Sequence, residues 1–370
     1  MRRSMAGAAL LLLYASTSVR AEEAPSLFVD PEDRWFDVSA FVAKKYGFVP
    51  IVAPVTEPAV GYGAFAGLVF IDRDPAAPRG ERPDLYVVGG MYTETNSWAS
   101  FGGYAGNWLD GRLRVVAGGG YISLNLKHYG LGDDPALAQN PIEYNLQGAL
   151  AGVSAAMQLG STPIYAGMGA GFGYMQADPH ETLAGASTAQ NTLLGLRPLV
   201  KFDTRDNMFT PTRGLFGEAG FTFAHQSEGS WFERLDLTAI GYTPLFIPDL
   251  FLGVRGGANF SFGDAPFYLR PFVVLRGAPA MRYQGEQTAE MEVELRWQFW
   301  KRLSLVGFGG VGAAWKNLSG FDRSEGVVTY GTGFRYELAR QYGLHMGADF
   351  AFGQDGFALY IQFGSAWTRL

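Results

Sequence analysis

Between Glu290 and Phe299 the chain reads EMEVELRWQF, and this alternation restricts its fold more than any other feature of the sequence. Met291, Val293, Leu295, Trp297 and Phe299 interleave with Glu290, Glu292, Glu294, Arg296 and Gln298. A period of two belongs to a β-strand with opposed faces, here one wholly apolar and one highly charged. Two all-β architectures accept such a strand. A soluble sandwich buries the apolar face and wets the other. A transmembrane barrel turns the apolar face to lipid and the charged face to a watery lumen.

Composition decides for the barrel. Of 370 residues, 48% are hydrophobic and only 17% charged, where about 25% charged is usual for soluble domains. Fifty glycines and 15% aromatics suit many twisted strands with aromatic girdles at the membrane surfaces, and suit a helical enzyme poorly. The mild net charge of −6 speaks against nucleic acid as a partner. The lack of cysteine excludes thiol catalysis and Cys-based zinc sites, and fits export to an oxidising compartment. No motif asks for a cofactor or a metal.

Residues 1–21 read as a signal peptide. Arg2 and Arg3 supply the positive start, Met5 to Ala15 the apolar core, and Val19-Arg20-Ala21 the small-residue cleavage site, with cleavage expected before Glu22. The apolar run is about half of the ~20 residues that a spanning helix needs, and no later run is longer. A mature chain in a membrane must then be a closed barrel, because only helices and barrels satisfy every backbone group in lipid. Residues 22–46 form a short periplasmic leader, in which Asp37 to Tyr46 can make an amphipathic helix capped by Asp or Ser. Residues 47–370 form the barrel, with no room for a further periplasmic domain.

Alternating segments recur roughly every 20 residues, sixteen in all, from Phe48–Pro54 to Phe357–Trp367. Among the later ones, Val328, Tyr330, Phe334, Tyr336 and Leu338 oppose Thr329, Gly331, Gly333, Arg335 and Glu337. In the last, Phe357, Leu359, Ile361, Phe363 and Trp367 oppose Ala358, Tyr360, Gln362, Gly364 and Ala366. Long connectors (127–141, 176–191, 263–289, 316–326) alternate with short ones (160–162, 301–302, 339–341), the rhythm of outside loops and periplasmic turns. The reading is a 16-stranded antiparallel transmembrane β-barrel with both termini on the periplasmic side.

Three stretches carry more than periodicity. One is Lys201-Phe202-Asp203-Thr204-Arg205-Asp206-Asn207 with Pro211-Thr212-Arg213-Gly214 after it; the second is Leu275-Arg276-Gly277; the third is Gly331-Thr332-Gly333-Phe334-Arg335-Tyr336, followed by Asp349 and Trp367. Together, in this order and spacing, they resemble the BamA/TamA-like superfamily of outer-membrane assembly barrels (the bacterial surface antigen type), in a variant without periplasmic POTRA domains. The resemblance covers Phe48 to Trp367. It implies that the sixth extracellular loop folds back to plug the lumen, its Arg276-Gly277 motif locked by Glu292 and Glu294 on the inner wall. A confined guanidinium–carboxylate pair is stronger than a surface one. The Asp that the family carries on the thirteenth strand is Gly310 here, and the aromatic residue that often follows R-G is Ala278, so one acidic partner of Arg276 is missing. Asp203, Arg205, Asp206, Asn207, Pro211 and Gly214 read as a structural turn at the end of the eighth strand, Asp and Asn capping it, Pro and Gly setting its dihedrals.

The first strand carries Pro50 and Pro54, spaced so that both missing N–H groups point to one edge. If that edge meets the last strand, with Gln362, Gly364 and Trp367, the closing seam is weak; a merely short strand is the other explanation. The resemblance implies that clients enter the membrane through such a seam. The function it implies is non-enzymatic, in outer-membrane biogenesis or polypeptide insertion and translocation. Its partners would be outer-membrane lipids and client outer-membrane proteins or lipoproteins. The sequence also admits two alternatives. A sixteen-stranded barrel is wide enough for a passive channel. A lipid hydrolase would need His128 or His345 beside a Ser such as Ser154, yet the four histidines (128, 180, 225, 345) lie far apart and Ser154 sits mid-strand.

Overall fold

The structure, a computed structural model, describes residues 27–43, 48–72, 82–179, 189–227, 229–317 and 324–368. The expected signal peptide and both ends of the leader lie outside the described residues. Sixteen strands follow one another: β1 Phe48–Val55, β2 Gly63–Asp72, β3 Asp84–Thr93, β4 Trp98–Trp108, β5 Leu113–His128, β6 Ile142–Gln158, β7 Ile164–Pro179, β8 Ala189–Asp203, β9 Gly214–Gln226, β10 Trp231–Pro244, β11 Leu250–Gly263, β12 Gln287–Trp300, β13 Leu303–Trp315, β14 Ser324–Ala339, β15 Leu344–Gly353 and β16 Gly356–Phe363. Each pairs antiparallel with the next in a single sheet ordered β1 to β16. The sheet curls until β1 and β16 come together, but among the described residues no ladder joins them. The barrel is therefore nearly closed, with an unsealed seam.

Ladder register assigns every side chain to one wall, because directly opposed residues point the same way. On β12, Glu290, Glu292, Glu294 and Arg296 are buried while Met291, Leu295, Trp297 and Phe299 are exposed. The exposed apolar residues continue over the outer wall through Val311, Val328, Tyr330 and Phe334, a belt that belongs in lipid.

The inner wall is not uniform. From β8 to β15 it carries Arg197, Lys201, Asp203, Glu218, Arg234, Asp236, Arg255, Glu290, Glu292, Glu294, Arg296, Arg335 and Asp349, traced through the registers. From β1 to β7 the same trace gives Ile51, Gly67, Gly89, Phe101, Gly120, Leu150 and Gly173 along one row. The expected wet, polar lumen face holds for the later strands only. The earlier strands are apolar on both sides, so alternation there does not distinguish inside from outside.

Other differences are local. The leader helix α1 is one turn, Ser39–Val42, with no side-chain cap at Val38; Asp37 instead accepts from the Ser39 amide at 2.6 Å. The last strand stops at Phe363 rather than running to Trp367, because Gly364 adopts φ +76° and its amide donates to the His345 carbonyl at 2.7 Å.

Candidate functional site

The connector 264–286 between β11 and β12 lies against the inner wall. Its apolar residues Ala265, Tyr268 and Met281 pack with Leu126, Tyr144, Leu146 and Leu193 of the early strands. Its centre crosses to the charged side. Arg276 donates through Nε and Nη2 to Glu292 at 2.8 and 2.5 Å, and through Nη1 it pairs with Glu294 and Asp349, both at 2.8 Å. Its guanidinium stacks 3.7 Å from the Phe308 ring. Gly277 has φ +91°, which a side chain rarely adopts, and its amide donates to the Tyr360 hydroxyl at 3.2 Å. All three carboxylates are less than a tenth exposed. Removing one partner from such a buried set costs about 3–5 kcal/mol.

The structure thus brings Arg276, Gly277, Glu292 and Glu294 together and adds members that the sequence reading did not assign to the cluster. Asp349 supplies the carboxylate that Gly310 cannot, and is held in turn by Arg335 at 2.6 and 2.8 Å. The signal is in the sequence: Arg335 and Asp349 both belong to the third of the motif stretches, and their strands are neighbours. Gly310 has a packing role instead. A Cβ there would come within 2.8 Å of Leu275, and one on Gly312 within 2.4 Å of Val273. Bare backbone on β13 lets the connector lie flush against it.

Trp367 and Gly364, expected at the seam, are elsewhere. Past the turn at Gly364 the tail enters the lumen, Ser365 bonds the Tyr242 hydroxyl, and Trp367 Nε1 donates to Glu292 at 2.8 Å. Trp367 is buried, not lipid-facing; an indole with a carboxylate acceptor at hand gains more inside than at the surface. Pro50 and Pro54 stand opposite Leu68 and Ala64 on β2 and are exposed on the outer wall, and Gln362 pairs with Gly347 on β15. Across the seam, the Thr56 hydroxyl donates to the Leu359 carbonyl and accepts from the Leu359 amide at 2.8 Å.

At the end of β8, Asp206 accepts from the Thr212 and Arg213 amides at 3.0 and 3.2 Å, and Asn207 accepts from Phe209 and Thr210 at 2.7 and 2.9 Å. Gly214, at φ +106°, passes so close to Thr204 that a Cβ would lie 2.3 Å from its carbonyl oxygen. Pro211 offers its carbonyl to Arg296 at 3.2 Å. Asp203 does something different. Arg205 grips it with Nε and Nη2, both at 3.0 Å, Arg114 adds a bond at 3.0 Å, and Arg82 a third guanidinium.

The leader is tied to the opposite side of the same end. Arg302, in the turn between β12 and β13, bonds Asp30, Asp33 and Asp37 at 2.6, 2.7 and 2.6 Å. The Arg302 bond holds the Asp33 carboxyl below its ordinary range. Burial works against the charge on Asp37, but donors from Ser39, Arg302 and Arg340 outweigh it and hold that carboxyl low too.

For a hydrolase the placement is poor. Ser154 faces Val116 across β5–β6, while His128 pairs with Ile142 at the far end of that ladder, roughly 40 Å away at about 3.3 Å per residue. His345 lies on β15, and His180 is outside the described residues.

No protein-family model matches the sequence, and no curated protein is significantly similar to it. Solved structures do match. BamA from Haemophilus ducreyi lacking POTRA domains 1–3 aligns at 12% identity and TM-score 0.52, over 86% of this chain and 69% of that one. CdiB from Escherichia coli aligns at 10% and 0.53, over 88% and 69%. CdiB from Acinetobacter baumannii aligns at 8% and 0.51, over 88% and 66%. The chain has the fold of the BamA and CdiB barrels. It spans about two thirds of the length of each, and the identities are low enough that the likeness concerns architecture. A barrel of this fold with no ladder between its first and last strands, among the described residues, is what the sheet order describes.

Proposed function

We propose that this BamA-type barrel is an integral protein of the bacterial outer membrane, exported with a signal peptide removed near Ala21, that acts without catalysis in outer-membrane biogenesis or polypeptide insertion and translocation. The observation that carries this reading is the seam. Fifteen neighbouring strand pairs are laddered, whereas among the described residues β1 and β16 meet through the Thr56–Leu359 bridge and no ladder. Exposed edges on both strands are a template for a client strand. Pro50 and Pro54 lower the number of donors β1 can offer, which keeps a permanent seal from forming. The connector 264–286, locked by Arg276, obstructs the lumen, so the route for a client polypeptide or lipoprotein runs sideways into lipid and not through an open pore.

The test is to lock the seam. Antiparallel register from Thr56 and Leu359 sets Ala53 opposite Gln362, so cysteines at these positions should form a disulfide. The outer-membrane proteome of cells carrying the oxidised double variant as their only copy should lose specific proteins, and reductant should restore them. An unchanged proteome with the seam fully crosslinked would remove this reading and leave the passive channel.

A further inference from the structure

A cavity of about 470 Å³ lies against the inner wall of β4 to β8, within the ~300–1,000 Å³ range of small-molecule sites. Phe101, Ile122, Leu150, Leu193 and Ala224 supply its side chains. Most of the rest is glycine, with Ala99, Ser100, Ala151 and Phe172 between. Gly103 pairs with Gly118, Gly118 with Gly152, Gly152 with Gly171, and Gly171 with Gly195, a row of glycines across five strands.

Neither their dihedrals nor lumenal packing requires these glycines, although neighbouring strand carbonyls crowd Gly118 and Gly152. None has a positive φ. A Cβ on each would meet its nearest atom at 3.1 Å (Gly118) to 3.7 Å (Gly195), that is, neighbouring strand atoms and nothing across the lumen. Glycine in a strand weakens it and marks places where a ligand approaches the backbone closely.

Four residues from Gly118 along β5, beyond the cavity's own lining, the inner wall is positively charged. Arg114 lies on the same face of β5 as Val116, Gly118, Gly120 and Ile122. Arg205 and Asp203 already form a two-bond pair. Arg82 and Arg114 each add one bond to that same carboxylate, have no other acidic partner among the described residues, and are 15% and 11% exposed. The Arg114 Nε is buried without an acceptor. Alongside, Arg197 and Lys201 pair with Glu218, and Arg234 pairs with Asp236. A buried excess of guanidinium is costly unless an anion meets it, and Arg forks recognise carboxylates well.

We propose that the early half of the lumen binds a long-chain fatty acid, its carboxylate at Arg114 and Arg82 and its alkyl chain along the Gly118–Gly152–Gly171–Gly195 trough toward Ile122 and Leu193. The assignment does not depend on the seam or on any client.

The probe is a palmitate carrying a photoactivatable diazirine, applied to the purified full-length mature barrel in a nonionic detergent. Labelled peptides should carry Ile122, Leu150 or Leu193 of the inner wall. Unlabelled palmitate should suppress labelling, hexadecanol at least tenfold less well, and inorganic phosphate not at all. Arg114→Gln should reduce inner labelling at least tenfold. Gly152→Leu, remote from the charges, should do the same while the heat-shifted gel band still reports a folded barrel; Gly171→Leu replaces it if that fold is lost. Labelling confined to outward Val153, Phe172 and Leu194, or insensitive to both substitutions, would overturn the proposal. So would equal competition by hexadecanol, or competition by phosphate alone.

Discussion

Two cavities of similar size share this lumen, and they differ in charge. One, about 530 Å³, sets Arg197, Glu218, Arg234, Asp236, Arg255 and Glu290 among apolar side chains such as Phe216, Phe232 and Phe272. The other, about 470 Å³, is lined by glycine and hydrocarbon. Glycine itself is used differently in each half. On β11 and β13 an added Cβ at Gly253, Gly310 or Gly312 would strike Trp367, Leu275 or Val273, side chains that occupy the space the glycine leaves. On β5 to β8 the row Gly118, Gly152, Gly171 and Gly195 leaves room that no lumenal side chain of the barrel fills. The later half of the wall holds the charged centre of the connector and the tail. The early half holds the connector's apolar ends at Leu126, Tyr144 and Leu146 and leaves the glycine row uncovered.

That contrast can be broken at several points. The largest effect should come from Asp349→Asn, which keeps the shape but leaves Arg335 and part of Arg276 without a counter-charge; about 3–5 kcal/mol of stability should go, read as the shift of the urea midpoint of the folded gel band. A change under about 1 kcal/mol would mean that the charged wall is solvated and carries little. Arg302→Gln should release the leader, costing about 1.5–3 kcal/mol for each lost charge-assisted bond that mattered, seen as faster deuterium uptake in residues 27–43. The same leader reports pH. Asp33 and Asp37 titrate below the 3.8 of a free aspartate, so their contribution is complete above that value and fades as pH falls through the lower, folded-state values. Protection of residues 27–43, corrected for intrinsic exchange, should be flat from neutral pH to about 4 and drop below it.

Glycine substitutions sharpen the comparison with smaller effects. Gly312→Ala forces Val273 aside and should destabilise by about 1–3 kcal/mol. Gly152→Ala should be neutral or stabilising by up to about 0.5–1 kcal/mol. Equal costs at the two sites would show that the early row is also packed against something.

The charged half was largely legible in the sequence, because a Glu at every second position of β12 admits only one orientation, and Arg276 was identified through its motif. Asp349 was harder. It lies 73 residues from Arg276, and only the ladder between β14 and β15 places it next to Arg335. The tail was misread because Phe357 to Phe363 alternates well and Trp367 keeps the phase, while the break depends on the backbone angle of one residue, Gly364. The apolar half could not be oriented at all from periodicity: Phe101 and Gly102, or Leu150 and Ala151, are equally acceptable to lipid and to a dry lumen. Register resolves them, since Gly89, Phe101, Gly120 and Leu150 oppose one another and the row ends at Leu193 under the connector.

In the proposed arrangement the charged wall holds the connector across the lumen, and planar-bilayer conductance tests that directly. The unmutated barrel should show low, intermittent conductance, and Arg276→Ala should raise it to large, steady steps as the connector is released. Large steady steps in the unmutated barrel, or no difference between the two proteins, would contradict it.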